Sequence, residues 1–297
     1  MAGLQEVYLK ELSEHLNSVR LIIMGALVYI IGFSMSFMSI STIKLEFISS
    51  RGENLFLKLF TTQSGGVPSF LGFLSFFGPL ISLILVFDSI NGEDNQGTLG
   101  LVLSQPIHRD SLINGKFLAA TTNIAIILVG VFGLIIGLGV ASIGAFPSVE
   151  ETMRIIIFGG ICVVYLAFWT SLGLLFSIVF KREGTSALAS IVSWLFLTIF
   201  IYMMGDMVQS TGLNPQGVLY LSPSYLFTQS SSIIMIPLMR VVGPVSYEQV
   251  VGMVANPLSL PQSLSVIWPH LTALTAAMML IFVVSYVLFV RREIRST

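Results

Sequence analysis

The sequence predicts an all-α polytopic membrane protein: six transmembrane helices behind an N-terminal amphipathic interfacial helix, with both termini in the cytoplasm. Three observations carry that prediction. Of 297 residues, 55% are hydrophobic and only 10% charged, against about 25% charged in a soluble domain. Six long runs contain no Asp, Glu, Lys, Arg or His. The basic residues gather in alternate connections between those runs.

The chain opens on helical spacing. Leu4, Val7, Tyr8, Leu12, Leu16 and Val19 recur on one face, with Gln5, Glu6, Glu11, Ser13, Glu14, Asn17 and Ser18 between them; this is an amphipathic helix over 1–20. Just before a span, it either lies in the membrane interface or packs on the protein's own cytoplasmic surface. Its charges leave no short basic start or small-residue cleavage site, so the first span is expected to stay as an uncleaved anchor.

Spans follow at about 21–40, 70–87, 117–142, 155–180, 185–204 and 271–290, near the ~20 residues that cross a hydrocarbon core. Lipid offers the backbone no hydrogen bonds, so each span must be a helix; a barrel would show short alternating strands instead. In the third, Gly133 and Gly137 stand in GxxxG spacing, which admits a close helix neighbour within the subunit or at a dimer seam. The 205–270 connection holds most of the 11 prolines, Pro223, Pro237, Pro257 and Pro261 among them, too many for one long helix. Its apolar stretches at 231–239 and 250–254 predict short helices that dip into or cap the bundle. The whole, 1–297, reads as one transmembrane domain.

Orientation comes from the cations. Lys10 and Arg20, Arg109 and Lys116, Lys181 and Arg182, and Arg291, Arg292 and Arg295 occupy the N-terminal segment, alternate connections and the tail. The other connections spread Lys44, Arg51, Lys58, Arg154 and Arg240 over more residues. The positive-inside rule then places both termini in the cytoplasm, the chain crossing the plasma membrane.

Several chemistries are missing. With a net charge of −1, no basic field points to nucleic acid. A lone cysteine, Cys162, excludes an internal disulfide and reads as a packing residue. Asp110 stands where a GxxxxGK[ST] loop ending at Gly115-Lys116 would need glycine. His15, His108 and His270 form no HExxH helix, and no GxSxG elbow occurs. An ion-driven carrier needs an acidic or histidine side chain inside the membrane; the nearest, Asp88 and Asp206, stand at span ends and read as boundary residues facing water. Met203, Met204, Met207, Met235 and Met239 offer thioethers for Cu(I) on one reading and ordinary apolar filling on the other. A chain with neither an ion site nor a nucleotide site takes its energy from outside or works as a passive pore.

The 88–116 connection is denser in turn and charge signals than a plain loop needs. Gln96-Gly97-Thr98 can open a short helix, Leu99, Leu101, Val102 and Leu103 give it an apolar side, and Pro106 ends it before Arg109. Such a helix could pass force from a soluble partner to the second and third spans, or merely tidy the connection. With its acidic stretch after the second span, Gly97-Thr98-Leu99, Leu103-Ser104, Pro106, Arg109 and Gly115-Lys116, the segment resembles the type-2 permease family of ATP-binding-cassette transporters. The amphipathic start, the six spans and Leu221-Ser222-Pro223 in the outer loop are similar to that family's layout.

The resemblance implies a non-catalytic permease subunit that pairs with a second copy or a sister permease, embedded in membrane lipid and binding no nucleic acid. It implies nucleotide-binding ATPase subunits as partners, which hold ATP and Mg, with no cofactor in this chain. Glu93, Asp94, Gly97, Thr98, Leu99, Ser104, Pro106 and Arg109 would then couple the permease to the ATPase. No catalytic, metal or substrate residue stands out. Export of an amphiphilic or hydrophobic substrate is the expected activity; a stand-alone secondary carrier or channel is the alternative.

Overall fold

The computed structural model describes residues 2–49, 54–63, 66–100, 108–236 and 258–291. In chain order these form α1 (Ala2–Leu16), α2 (Val19–Ser49), α3 (Leu55–Thr61), α4 (Phe70–Val86), α5 (Asn91–Asn95), α6 (Arg109–Ile143), α7 (Val149–Val179) and α8 (Glu183–Leu195). A π turn (Phe196–Phe200), α9 (Ile201–Ser210), α10 (Gln216–Leu219), α11 (Pro223–Met235) and α12 (Leu260–Arg291) complete them. The described residues contain no strand, and six helical stretches are long and apolar enough to cross a membrane.

Those six stretches coincide with the six charge-free runs, and most are longer. α6 begins at Arg109, so Asp110 and Lys116 ride on its first turns instead of in a loop. α7 begins at Val149 with a capping box: Ser148 and Glu151 exchange side-chain bonds with each other's backbone N–H. That helix is central, packing against α4, α6, α8, α11 and α12.

The short helix α3 was not anticipated from the sequence. Leu55, Phe56, Leu57, Leu59 and Phe60 are all buried, and the Phe60 ring meets Phe132 of α6 at 5.1 Å and Phe158 of α7 at 6.0 Å. Its first turn is served from afar, because Glu151 Oε1 accepts the Phe56 N–H at 3.0 Å. One carboxylate thus sits at two helix N-termini, where unpaired N–H groups favour negative charge.

Arg154, read from sequence as a connection charge, is a core residue with 0% exposure. Its guanidinium pairs with Glu150 at 2.8 Å and donates to Ile234 O at 3.0 Å, Ser263 Oγ at 3.3 Å and Leu258 O. A planar five-donor group suits such a junction; here it joins α7 to the end of α11 and the start of α12.

Within 205–270, α11 inserts among α4, α7 and α12. Ser222 caps it by accepting the Tyr225 N–H, and Pro223 takes the first helical position, where its missing N–H removes nothing. Met235 is buried in α11, whereas Met203 and Met207 are exposed on α9. Pro237, Met239, Arg240, Pro257 and the 250–254 stretch lie outside the described residues, as do Arg51, Arg292 and Arg295.

Among the described residues, a Cβ at Gly133 or Gly137 would meet nothing within 4 Å. In the membrane-spanning part of α6, Gly130 and Gly139 do the close packing, against Tyr29 and against Leu59 and Phe56.

Candidate coupling site

The N-terminal helix, the segment after the second span and the end of the last helix meet at one end of the bundle. Val7, Ile90, Leu99, Ile113 and Phe289 share a buried apolar cluster there, and Arg109 Nη1 donates to Val290 O at 3.3 Å. This end is called the terminal face below.

Helix α1 docks on α6 through two adjacent residues of the motif. At Gly115 a Cβ would lie 2.6 Å from Val7 Cγ1 and 3.3 Å from the Tyr8 backbone nitrogen, so only glycine lets the helices approach so closely. The next residue, Lys116, is only 3% exposed and pairs with Glu11 at 2.9 Å and Glu93 at 2.8 Å. Val7 and Glu11 are one turn apart on α1 and so face the same neighbour. Tyr8 adds a bond from its hydroxyl to Thr122 Oγ1 at 3.2 Å.

A buried ammonium is tolerated when carboxylates replace its lost hydration. Lys116 has two, one on the N-terminal helix and one on the segment read as the coupling element. A single cation therefore ties together α1, the segment after the second span and α6.

The segment itself is pinned at several points. Ser177 Oγ accepts the N–H groups of Ile90 at 2.9 Å and Asn91 at 3.2 Å, and Asn91 Nδ2 donates to Phe180 O at 3.2 Å. Ser186 Oγ donates to Phe87 O at 2.6 Å. The connection is thereby fastened to the end of α7 and the start of α8. Gly97 adopts φ +72°, a left-handed conformation that disfavours any side chain, and so turns the chain between α5 and the helical residues 98–100. Thr98 Oγ1 bonds back to Glu93 O at 3.2 Å, and Leu99 is buried.

Of the residues singled out from sequence, Glu93, Gly97, Thr98, Leu99 and Arg109 all contribute to this face. Asp94 is half-buried on α5. Ser104 and Pro106 lie outside the described residues. Glu11, Asn91, Lys116, Ser177 and Ser186 were not read as site residues. Their contacts span from 23 to 105 residues, and no local spacing encodes them.

A polar cleft of about 440 Å³ opens beside the triad, lined among others by Glu14, His15, Arg20, Asp88, Gln96 and Lys116. Asp88 accepts from Arg20, whose guanidinium lies 5.7 Å from the centre of the Phe87 ring; the boundary aspartate thus closes an ion pair within the chain. Burial holds the His15 imidazole below its ordinary pKa, against the opposing pull of Glu11. Among the described residues, no group of three or more His, Cys, Asp or Glu side chains is placed to hold a metal ion.

The geometry can transmit displacement, because a push on 88–100 bears on α1, α6, α7, α8 and α12 together. Comparison with known proteins gives this face its context. A family model described as ABC-2 family transporter protein matches residues 5–294. A protein from Stutzerimonas stutzeri named probable ABC transporter permease protein NosY is 27% identical over 248 residues, covering 78% of this chain and 82% of its own length. Its namesake from Pseudomonas aeruginosa is 35% identical over 100 residues, 34% of each chain.

Proposed function

The chain belongs to the ABC-2 transporter family, and on that premise we propose that this integral, multi-pass membrane protein is a permease that exports an amphiphilic or hydrophobic substrate. ATP is hydrolysed in a separate nucleotide-binding subunit, which holds the nucleotide and Mg. The terminal face is cytoplasmic, in the plasma membrane, and the permease works as a pair with a second copy or a sister chain.

The observation that carries this reading is the Lys116 triad with its pinned segment. A soluble partner pressing on residues around Glu93, Asp94 and Arg109 would move the N-terminal helix and the four spans that contain α6, α7, α8 and α12 as one body. Glu93 and Lys116 are placed to stiffen this element, while the exposed Gln96 is better placed to meet the partner.

The test is co-expression with a candidate ATP-binding subunit, followed by affinity purification and an ATP-turnover assay in lipid nanodiscs. Copurification and permease-dependent ATP turnover are expected. Substrate flux in vesicles holding the permease alone would favour a stand-alone carrier instead.

A further inference from the structure

The fifth span contains the one π turn among the described residues, and the hydroxyls of Thr198 and Ser222 tie its inner side to α11. The Ile201 N–H bonds to Phe196 O, five residues back, which deprives Leu197 O of its usual helical donor. Ser222 Oγ supplies the replacement at 2.7 Å. The same hydroxyl caps α11, so one side chain fixes the start of α11 to the irregular turn. In lipid an unserved carbonyl has no water to fall back on.

A second freed carbonyl lies across the bundle. Pro79 has no N–H to offer Ser75 O, four residues back, and Tyr165 donates its hydroxyl there at 2.6 Å. Tyrosine carries one hydroxyl hydrogen. Ser224 Oγ, 2.8 Å from the Tyr165 oxygen, must therefore donate to it, and Thr198 Oγ1, 3.1 Å from Ser224 Oγ, must donate in turn. A one-way chain, Thr198 to Ser224 to Tyr165 to Ser75 O, joins the π turn to the proline kink of the second span. On the outer side of the turn, Phe196, Ile199 and Phe200 are exposed, so no described neighbour blocks movement that way.

We infer that the π turn is a hinge in the fifth span, about which α9 moves relative to α8, and that Ser222 and Thr198 are the positioning residues that hold it closed against α11. Two helix irregularities bonded through hydroxyls can exchange partners without stranding a charge. Interhelical side-chain bonds in membrane proteins are weak enough to open readily. A hinge there demands nothing of the terminal face, so its failure would leave the coupling segment untouched.

Hydrogen exchange followed by mass spectrometry, on the full chain in lipid nanodiscs, tests this. In Ser222→Ala, amides at 196–203 should exchange about three- to twentyfold faster than in the unaltered chain, the range set by one lost interhelical bond. Amides of α6 should not change. Ser222→Thr, which keeps the hydroxyl, should restore the original rate. Thr198→Val leaves the α11 cap intact and should also loosen 196–203, which keeps the idea testable if Ser222→Ala does not fold. Unaltered exchange at 196–203 in both variants would overturn the hinge, and so would a uniform rise across all spans.

Discussion

The terminal face and the middle of the bundle solve the same problem with different chemistry. At the terminal face, distant segments meet on charge: Lys116 between Glu11 and Glu93, and Arg20 on Asp88. Around the π turn they meet on hydroxyls: Thr198, Ser222, Ser224 and Tyr165. Charge-assisted bonds are about twice as strong as neutral ones, and breaking a buried pair strands a charge. Hydroxyl bonds inside a membrane contribute about 0.6 kcal/mol on average and can trade partners. The first arrangement suits a part that receives force without deforming, the second a part that moves.

The largest expected effect is at Lys116. Lys116→Met leaves the buried Glu11 and the half-buried Glu93 without their shared cation, and removing one partner of a buried pair costs about 3–5 kcal/mol. The thermal midpoint of the purified protein should fall accordingly. Glu11→Gln should cost less, and far less again when added to Lys116→Met, because the two share one interaction.

Next comes the helix contact beside it. Gly115→Ala forces a Cβ into Val7 and the Tyr8 backbone and should destabilise by about 1–3 kcal/mol, the usual range for overpacking. Gly133→Ala in the same helix meets nothing and should leave the thermal midpoint nearly unchanged. Equal losses at both glycines would mean that α1 does not dock as described.

Tyr165→Phe removes the donor to Ser75 O and should cost about 0.6–1.7 kcal/mol, less than Lys116→Met. A larger loss at Tyr165 would reverse the contrast between the two regions.

The smallest effect is a pH dependence. His15 has a folded-state pKa below its ordinary 6.5, chiefly from burial, so the unfolded chain binds the proton first. Stability therefore falls as pH drops below about 6.5. The thermal midpoint of the unaltered chain should decline more between pH 7.5 and 5.5 than that of His15→Gln.

The sequence made the six helices legible because lipid imposes a residue-by-residue rule, freedom from charge, that can be read locally. The segment at 88–116 was legible through its punctuation, and Gly97 and Gly115 each prove to have a backbone reason for being glycine. What stayed hidden are contacts between distant residues. Lys116 looks like an ordinary boundary cation until Glu11 is placed beside it, 105 residues away. Arg154 looks like a connection charge from sequence, although Glu150 at helical spacing points to its ion pair. The helix α3 carries no comparable mark, because Lys58 interrupts its apolar residues Leu55, Phe56, Leu57, Leu59 and Phe60, and the run is too short to cross a membrane. The π turn has no sequence signature at all; it shows only in which N–H reaches which carbonyl.

The central claim is that energy enters at the terminal face through one body, with the N-terminal helix as part of it. ATP turnover of the purified complex with its nucleotide-binding subunit, measured for Glu11→Gln beside Glu93→Gln, tests it most directly. Both variants should retain the ATP-binding subunit and alter permease-dependent turnover in the same direction, although Glu11 lies outside residues 88–116. Altered turnover in Glu93→Gln with unchanged turnover in Glu11→Gln would contradict it.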